Sequence, residues 1–331
     1  MIIVYCEKGV GWSPISYMVK LAAKLLEADL IILEHEPLTL INKVINSILK
    51  RQRNKEGEKL LLICPSPADL SLVFQIENYR KRFDYIAAWV IDSFWVDRIP
   101  KTVKLSGVFD HIFITSKEDI GEWVREVGTP TTWLPWASDV LGLGGMGVKQ
   151  DWDLGRVGRQ PREWDDDKEI KKLCDKRHIT FSGRPSFIND ASANQKFMME
   201  VYQQTKFILA FSNLSNPTNY THPSRAYLTA RWVDALACGC VVAGISPQEE
   251  SVEELLWKGA TLEFETINVH EGLDQVSKAL AQWTPEIASY NYKKSLKILD
   301  WRWRFMEIAR VLEVRPKRLL LEIEQLNFKI G

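Results

Sequence analysis

Cysteine is scarce in this 331-residue chain: five copies, an odd number, none spaced as a pair of metal ligands. A disulfide framework and a structural zinc site are therefore excluded as sources of stability, and reduced thiols in a cytoplasm are expected. Cys238 and Cys240 flank one glycine, too close for a redox or zinc pair, and are expected to be small buried side chains. Net charge is lacking too. Forty-three Lys and Arg balance forty-three Asp and Glu, so nothing in the overall charge favours a polyanion such as nucleic acid. No apolar run is long enough to span a bilayer, and Met1-Ile2-Ile3-Val4-Tyr5 begins a buried strand at once, without a basic leader. What remains is a soluble globular composition, 46% hydrophobic and 26% charged, with thirteen tryptophans that suggest aromatic-lined clefts as well as core. The length favours two domains.

Up to about residue 134, strands and helices alternate. Apolar runs predict strands over 2–5, 30–33, 59–64, 84–91, 111–115 and 132–134. Helices are expected over 15–27, 39–50, 69–80 and 117–126. Regular alternation with mostly apolar strands implies a parallel sheet covered by helices on both faces, with ligands gathering at the carboxyl ends of the strands. Three points in this half carry candidate chemistry. After the first strand, Gly9 and Gly11 allow close backbone approach before Ser13-Pro14 opens a helix, although neither a Walker pattern nor a full dinucleotide fingerprint is present. Asp92 leaves a buried strand beside Ser93, Phe94 and Trp95. A carboxylate there can take a proton from an acceptor hydroxyl while the aromatics stack on a sugar, or it can cap the next turn. His111 opens its strand, which places it at the amino end of the sheet, in a structural role.

Four glycines between Leu141 and Gly147 predict a flexible hinge, and the domain boundary is placed between about 137 and 152. Beyond it the alternation restarts, with strands over 154–158, 179–182, 207–211, 241–244 and 261–264. Helices are expected before Cys174 and over 253–257 and 269–283, and the chain is expected to be helical from Ala288 on. Trp301, Phe305, Ile308 and Leu312 form an apolar helical stripe suited to core packing. The consecutive acids Asp165, Asp166 and Asp167 diverge along a helix start and are expected to cap it, not to hold a metal. Gly158-Arg159 and Gly183-Arg184 each place a guanidinium beside a permissive backbone after a strand, an arrangement suited to phosphate.

The most informative stretch runs from Tyr227 to Gly244: a short helix bearing Arg231 and Asp234, then Ala235-Leu236-Ala237-Cys238-Gly239, then an apolar strand. It resembles the donor-binding segment of GT-B glycosyltransferases, most closely the bacterial "glycosyltransferase family 1" and spore-maturation-type group. That resemblance implies two Rossmann-like α/β domains facing across a cleft: an acceptor-binding domain over 1–145 and a nucleotide-sugar domain over 146–315. A helix over 316–331 would cross back to pack on the first domain. It further implies that Asp234 bonds the ribose and that Tyr227, Leu228 and Thr229 offer backbone N–H groups to the diphosphate, with Arg231 close by. Arg159 would hold the diphosphate, Arg184 would lie where the base is recognised, and Gly11 would face the cleft. The usual downstream lysine is not evident; Arg225 or Lys206 would substitute. Two departures stand out. Asp234 replaces the glutamate of many relatives, and Ala226 stands where an earlier sugar-binding glutamate belongs.

The function implied is transfer of a sugar, expected to be a hexose, from a nucleotide-diphosphate sugar to a hydroxyl of a glycan, lipid or small molecule. Asp92 would be the base, and neither metal nor cofactor would be needed beyond the co-substrate. A sugar-nucleotide epimerase of the same fold, or an inactive sugar-nucleotide-binding protein, would use the same donor site. The basic, amphipathic tail after Arg310 suits packing on the body of the protein, and contact with a membrane surface is the alternative.

Overall fold

The computed structural model describes residues 1–9, 12–34, 36–147, 149–218 and 220–331. The chain forms two compact units: Met1–Pro135 with Arg304–Ile323, and Trp136–Trp303 with Glu324–Gly331.

The first unit runs β1 (Ile2–Tyr5), α1 (Ser13–Leu25), β2 (Asp29–Ile32), α2 (Leu40–Ile48), β3 (Glu58–Cys64), α3 (Tyr79–Arg82), β4 (Phe83–Val90), α4 (Lys101–Ser106), β5 (His111–Ile114), α5 (Ile120–Val127) and β6 (Thr131–Trp133). Among the described residues its strands form one sheet in the order β2-β1-β3-β4-β5-β6, parallel throughout. β3 and β4 are central and carry unbroken apolar runs from Leu60 and Ile86 onward, as burial on both faces requires. The single helix expected over 69–80 is instead a 3-10 segment, Pro67–Gln75, followed by α3. Ser66 and Asp69 form a capping box that opens the 3-10 segment, and Asn78, at φ 54°, interrupts any continuous helix. The short helix α4 has no counterpart in the expected elements.

The second unit runs β7 (Trp152–Arg156), α6 (Asp167–Asp175), α7 (Ala191–Gln203), β8 (Thr205–Phe211), α8 (Ala230–Ala237), β9 (Val241–Ile245), α9 (Glu250–Leu255), β10 (Thr261–Glu263), α10 (Val269–Leu280) and α11 (Pro285–Ile298). The terminal helices α12 (Trp301–Val311) and α13 (Lys317–Ile330) are each shared out between the two units. The sheet is again parallel, in the order β10-β9-β8-β7. The strand expected over 179–182 reduces to a single bridge between Leu154 and Phe181. Ser182 still donates its N–H to Leu154 O at 3.0 Å, but two residues on the Arg184 N–H goes to the Asp167 carboxylate and not to β7. Helix α7 is also absent from the expected elements; Asp190 caps it through the Ala193 N–H. Trp301, Phe305, Ile308 and Leu312 are all buried, as their spacing predicts.

The glycine-rich stretch after Asp139 is not the loose hinge its composition suggests. Gly145 donates its N–H to Ala237 O at 3.0 Å, Gly147 to Gln203 O at 3.2 Å, and Gln203 Nε2 returns a bond to Leu143 O at 2.9 Å. A Cβ at Gly144 would lie 2.5 Å from Val140 O, and one at Gly147 would lie 2.4 Å from Gln203 O. Close packing, not flexibility, accounts for these glycines. The start of the stretch is pinned as well: Ser138 N–H donates to Leu299 O, Trp301 N–H donates to Ser138 O, and Arg302 reaches Asp139 Oδ1 at 2.7 Å.

Candidate functional site

The carboxyl ends of β7, β8 and β9 and the amino end of α8 build the candidate site of the second unit. β7 ends at Arg156, and the chain turns at Gly158, whose φ of +68° suits glycine. The Arg231 side chain lies over this glycine, 3.4 Å from where a Cβ would stand. Arg231 opens the first turn of α8 and donates from Nη1 to the carbonyls of Arg159 (2.6 Å) and Val157 (3.4 Å). It thus ties the Gly158-Arg159 turn to the helix. Burial, with Arg159 adding repulsion, lowers the pKa of its guanidinium. Arg159 donates to Thr218 Oγ1 at 2.7 Å and lies 5.2 Å from the centre of the Tyr220 ring.

Thr229 holds the N-cap position of α8, yet its hydroxyl caps nothing and no acidic residue occupies the first turn. That hydroxyl is buried and has no partner among the described residues. An uncapped, acid-free helix start of this kind is a place for an anion. Tyr227 and Leu228 precede it, both partly buried. Arg225 belongs to a turn organised by His222, whose Nδ1 accepts the N–H groups of Ser224 and Arg225 at 3.2 and 3.0 Å. The Ala226 N–H donates to Glu249 Oε1 at 3.3 Å, so a carboxylate from the loop after β9 reaches the alanine.

Asp234 lies on the buried side of α8. Its two oxygens accept from Ser138 Oγ at 2.5 Å and from Gln195 Nε2 at 3.0 Å. Burial pushes its pKa up to about 6 against those two donors. Arg184 donates to Asp165 Oδ1 at 2.8 Å and to Gly158 O at 3.4 Å, and it lines a recess of about 520 Å³ shared with Arg156 and Asp167. Asp166 caps α6, as expected of the acidic run. Its neighbours Asp165 and Asp167 instead neutralise the buried Arg156, at 2.6 and 2.8 Å. Lys206 pairs with Asp153 at 2.8 Å, at the opening of β8 and so at the other end of the sheet.

In the first unit, the carboxyl ends of β3, β4 and β5 bring Asp69, Asp92, Ser93 and Thr115 to one edge. Lys8, after β1, pairs with Asp69 at 2.7 Å. Burial pushes the Asp92 carboxyl up to about 7; Asp69 adds to the rise and Arg98 opposes it. The Arg98 guanidinium carbon itself lies over the Trp95 ring, 3.4 Å from its centre. Ser93 Oγ and Thr115 Oγ1 stand 3.2 Å apart, and Ser93 Oγ accepts the Ser116 N–H at 3.1 Å. Trp123 and Trp133 fix this edge by donating their indole N–H groups to Ser93 O and Thr115 O.

Residues 154–310 match the family model described as Glycosyl transferase-like. The structure is similar to HepE from Anabaena in complex with UDP, at 11% identity and a TM-score of 0.54, over 95% of this chain and 100% of that chain. It is similar to HepE in complex with UDP-glucose at 12% identity and a TM-score of 0.54, over 95% and 99% of the two chains. The fold is thus that expected from the resemblance to GT-B glycosyltransferases. No curated protein matches the sequence.

Within the matched segment, Arg159, Arg225, Tyr227, Leu228, Thr229 and Arg231 gather at the carboxyl edge of the sheet. Arg184 stands beside them, while Asp234 points into the unit. Asp92 belongs to the first unit, and Gly11 lies outside the described residues. His111 sits at the amino end of β5, its Nε2 2.9 Å from Thr132 Oγ1, as its place at the strand opening predicts. Ser138 and Gln195 escape sequence reasoning because each meets Asp234 only through tertiary contact. Glu249 escapes it too, since nothing local ties that loop to Ala226.

Proposed function

We propose that this chain transfers a hexosyl group from a nucleoside diphosphate sugar to an acceptor hydroxyl. The observation that carries the proposal is the uncapped start of α8 with Arg159 set beside it by Arg231. Amides and guanidinium together suit the charge that develops on a departing diphosphate. Arg159 grips phosphate through the N–H groups that Thr218 does not take. Arg231 holds the Gly158-Arg159 turn in place and adds positive charge from behind it. The Thr229 hydroxyl gains its missing partner in a phosphate oxygen. Glu249 offers its carboxylate to the sugar hydroxyls near Ala226, and Arg184 borders the base. HepE, of the same fold, is seen with UDP and UDP-glucose, so uridine diphosphate sugars are the first donors to test.

In an inverting transfer, Asp92 takes the proton of the acceptor hydroxyl. The acceptor oxygen bonds to the anomeric carbon, and the bond from that carbon to the diphosphate breaks, its electron pair leaving with the nucleotide. A base poised near pH 7 is matched to this role. The positive groups around the diphosphate position support transfer without a metal, so chelation with EDTA is expected to leave the rate unchanged. Five free, buried cysteines fit a cytoplasmic setting.

The experiment is release of nucleoside diphosphate from a panel of nucleotide sugars, with and without candidate acceptors. Turnover by the parent, a tenfold or greater fall in kcat/KM for Arg159→Ala, and a fall mainly in kcat for Asp92→Asn are expected. A folded parent that neither binds nor turns over any member of the panel would contradict the proposal.

A further inference from the structure

Helix α2 is inside out. Its inward side chain is Asn46, which is buried and accepts from Tyr79 Oη at 2.9 Å and from the Arg80 guanidinium. Its outward side chains are apolar: Leu40, Ile41, Val44 and Ile48 are 79%, 71%, 57% and 68% exposed. Their spacing places them on one face of the helix. Leu49 and, from α4, Leu105 are exposed as well, and Lys50 Nζ joins the two helices by donating to Leu105 O at 3.0 Å. A water-facing helix carries the opposite pattern, and a contiguous apolar face of this kind marks a contact surface.

The charge around the patch selects the partner. Between Glu36 and Glu56 the chain has five basic residues, Lys43, Lys50, Arg51, Arg53 and Lys55, and no acidic one. Arg51 and Arg53 are paired with Asp110 and Asp84. Lys43, Lys50 and Lys55 have no acidic partner among the described residues. Exposed aliphatic side chains with lysines on the same helix and in the segment that follows it match a lipid surface with anionic headgroups, which takes the apolar face below the headgroups and leaves the ammonium groups beside them. At nine residues, or about 13 Å, α2 is too short to cross a bilayer and lies along the interface.

We propose that α2, with Leu49 and Leu105, docks the first unit onto an anionic membrane surface. This contact is separate from the tail after Arg310, and it stands whether or not the chain transfers sugar. The test is co-sedimentation of the full chain with vesicles of phosphatidylcholine alone and of phosphatidylcholine with phosphatidylglycerol. Three proteins are compared: the parent, the triple variant Ile41→Glu/Val44→Glu/Ile48→Glu, and the double variant Lys43→Glu/Lys55→Glu. These side chains are exposed, and an unchanged thermal midpoint checks that the variants fold. The parent is expected to pellet with the anionic vesicles, and the triple variant to lose at least tenfold in partitioning. The double variant is expected to lose the preference for anionic lipid. A parent that stays in the supernatant with both compositions overturns the proposal, as does a triple variant that binds like the parent. Sedimentation velocity covers the rival occupant: a dimer abolished by the triple variant, without vesicle binding, assigns the patch to a second copy and overturns the lipid assignment.

Discussion

Arg231 donates to the backbone carbonyl of Arg159 at 2.6 Å, so one arginine of the candidate donor site sets the position of another. The resemblance to GT-B glycosyltransferases implies that both lie near phosphate; the geometry gives them different positions. Arg159 faces the loop that carries Thr218 and Tyr220, while Arg231 works from behind the turn.

Removing the positioning residue should weaken donor binding without abolishing the fold. Charge-assisted hydrogen bonds contribute roughly 1.5–3 kcal/mol each, so Arg231→Ala should raise the Kd for a nucleoside diphosphate by about 10–100-fold. Arg231→Lys, which keeps the charge but loses the planar fork, should recover only part of the loss. Isothermal titration calorimetry on the three proteins decides it. Unchanged affinity in Arg231→Ala would remove the role assigned to this contact.

Asp92 has a pH signature. Its carboxyl is raised to about 7, so kcat/KM should climb as pH passes through that value, because only the carboxylate can accept the acceptor's proton. Asp92→Asn should lower kcat by about 10²–10⁴-fold and flatten the climb. Stability runs the other way. An ordinary aspartate ionises near pH 4, roughly its value in the unfolded chain. Between there and about 7 the folded chain binds the extra proton, so stability from this group falls as pH rises. Thermal midpoints should therefore show Asp92→Asn gaining on the parent at pH 8 relative to pH 5.

Asp234 and its two donors make a stability prediction. Its carboxyl ionises near pH 6 in the folded chain, above the unfolded value, so burying it costs most once it is charged. Ser138 Oγ offsets part of that cost. Ser138→Ala should destabilise by about 1–3 kcal/mol at pH 8 and by less at pH 4.5, where the group is neutral. Urea unfolding at the two pH values measures the difference, and an equal loss at both would contradict the assignment.

Two glycines should respond oppositely to alanine. At Gly239, φ is +79° and a Cβ would lie 2.8 Å from Ala288 O, so Gly239→Ala should cost about 1–3 kcal/mol. Gly121 lies inside α5 with nothing near a new Cβ, and Gly121→Ala should stabilise by about 0.4–1 kcal/mol. Paired thermal melts test both.

Much of the fold was legible because the strands are continuous apolar runs and the helices between them are periodic. The parallel order followed from their alternation. The 3-10 segment at Pro67–Gln75 was not legible, since it depends on a capping box and on the left-handed Asn78. The glycines after Asp139 misled, because composition does not distinguish flexibility from close approach. At the candidate site, the turn, the helix start and the arginines were visible in the sequence. The direction of each side chain was not: Asp234 turns inward because Ser138 and Gln195, far away in sequence, receive it. Helix α2 shows the same limit, since its periodicity marks an apolar face but not which way that face points.

The most direct measurement is calorimetric titration of UDP, with the other nucleoside diphosphates alongside, into the parent and Arg159→Ala. The account predicts saturable binding of one nucleotide family by the parent and at least a tenfold loss in the variant, with both proteins equally folded. Equal binding by the two proteins would take the diphosphate away from the Arg159 turn. No binding by a folded parent would contradict a nucleotide-sugar site in the second unit.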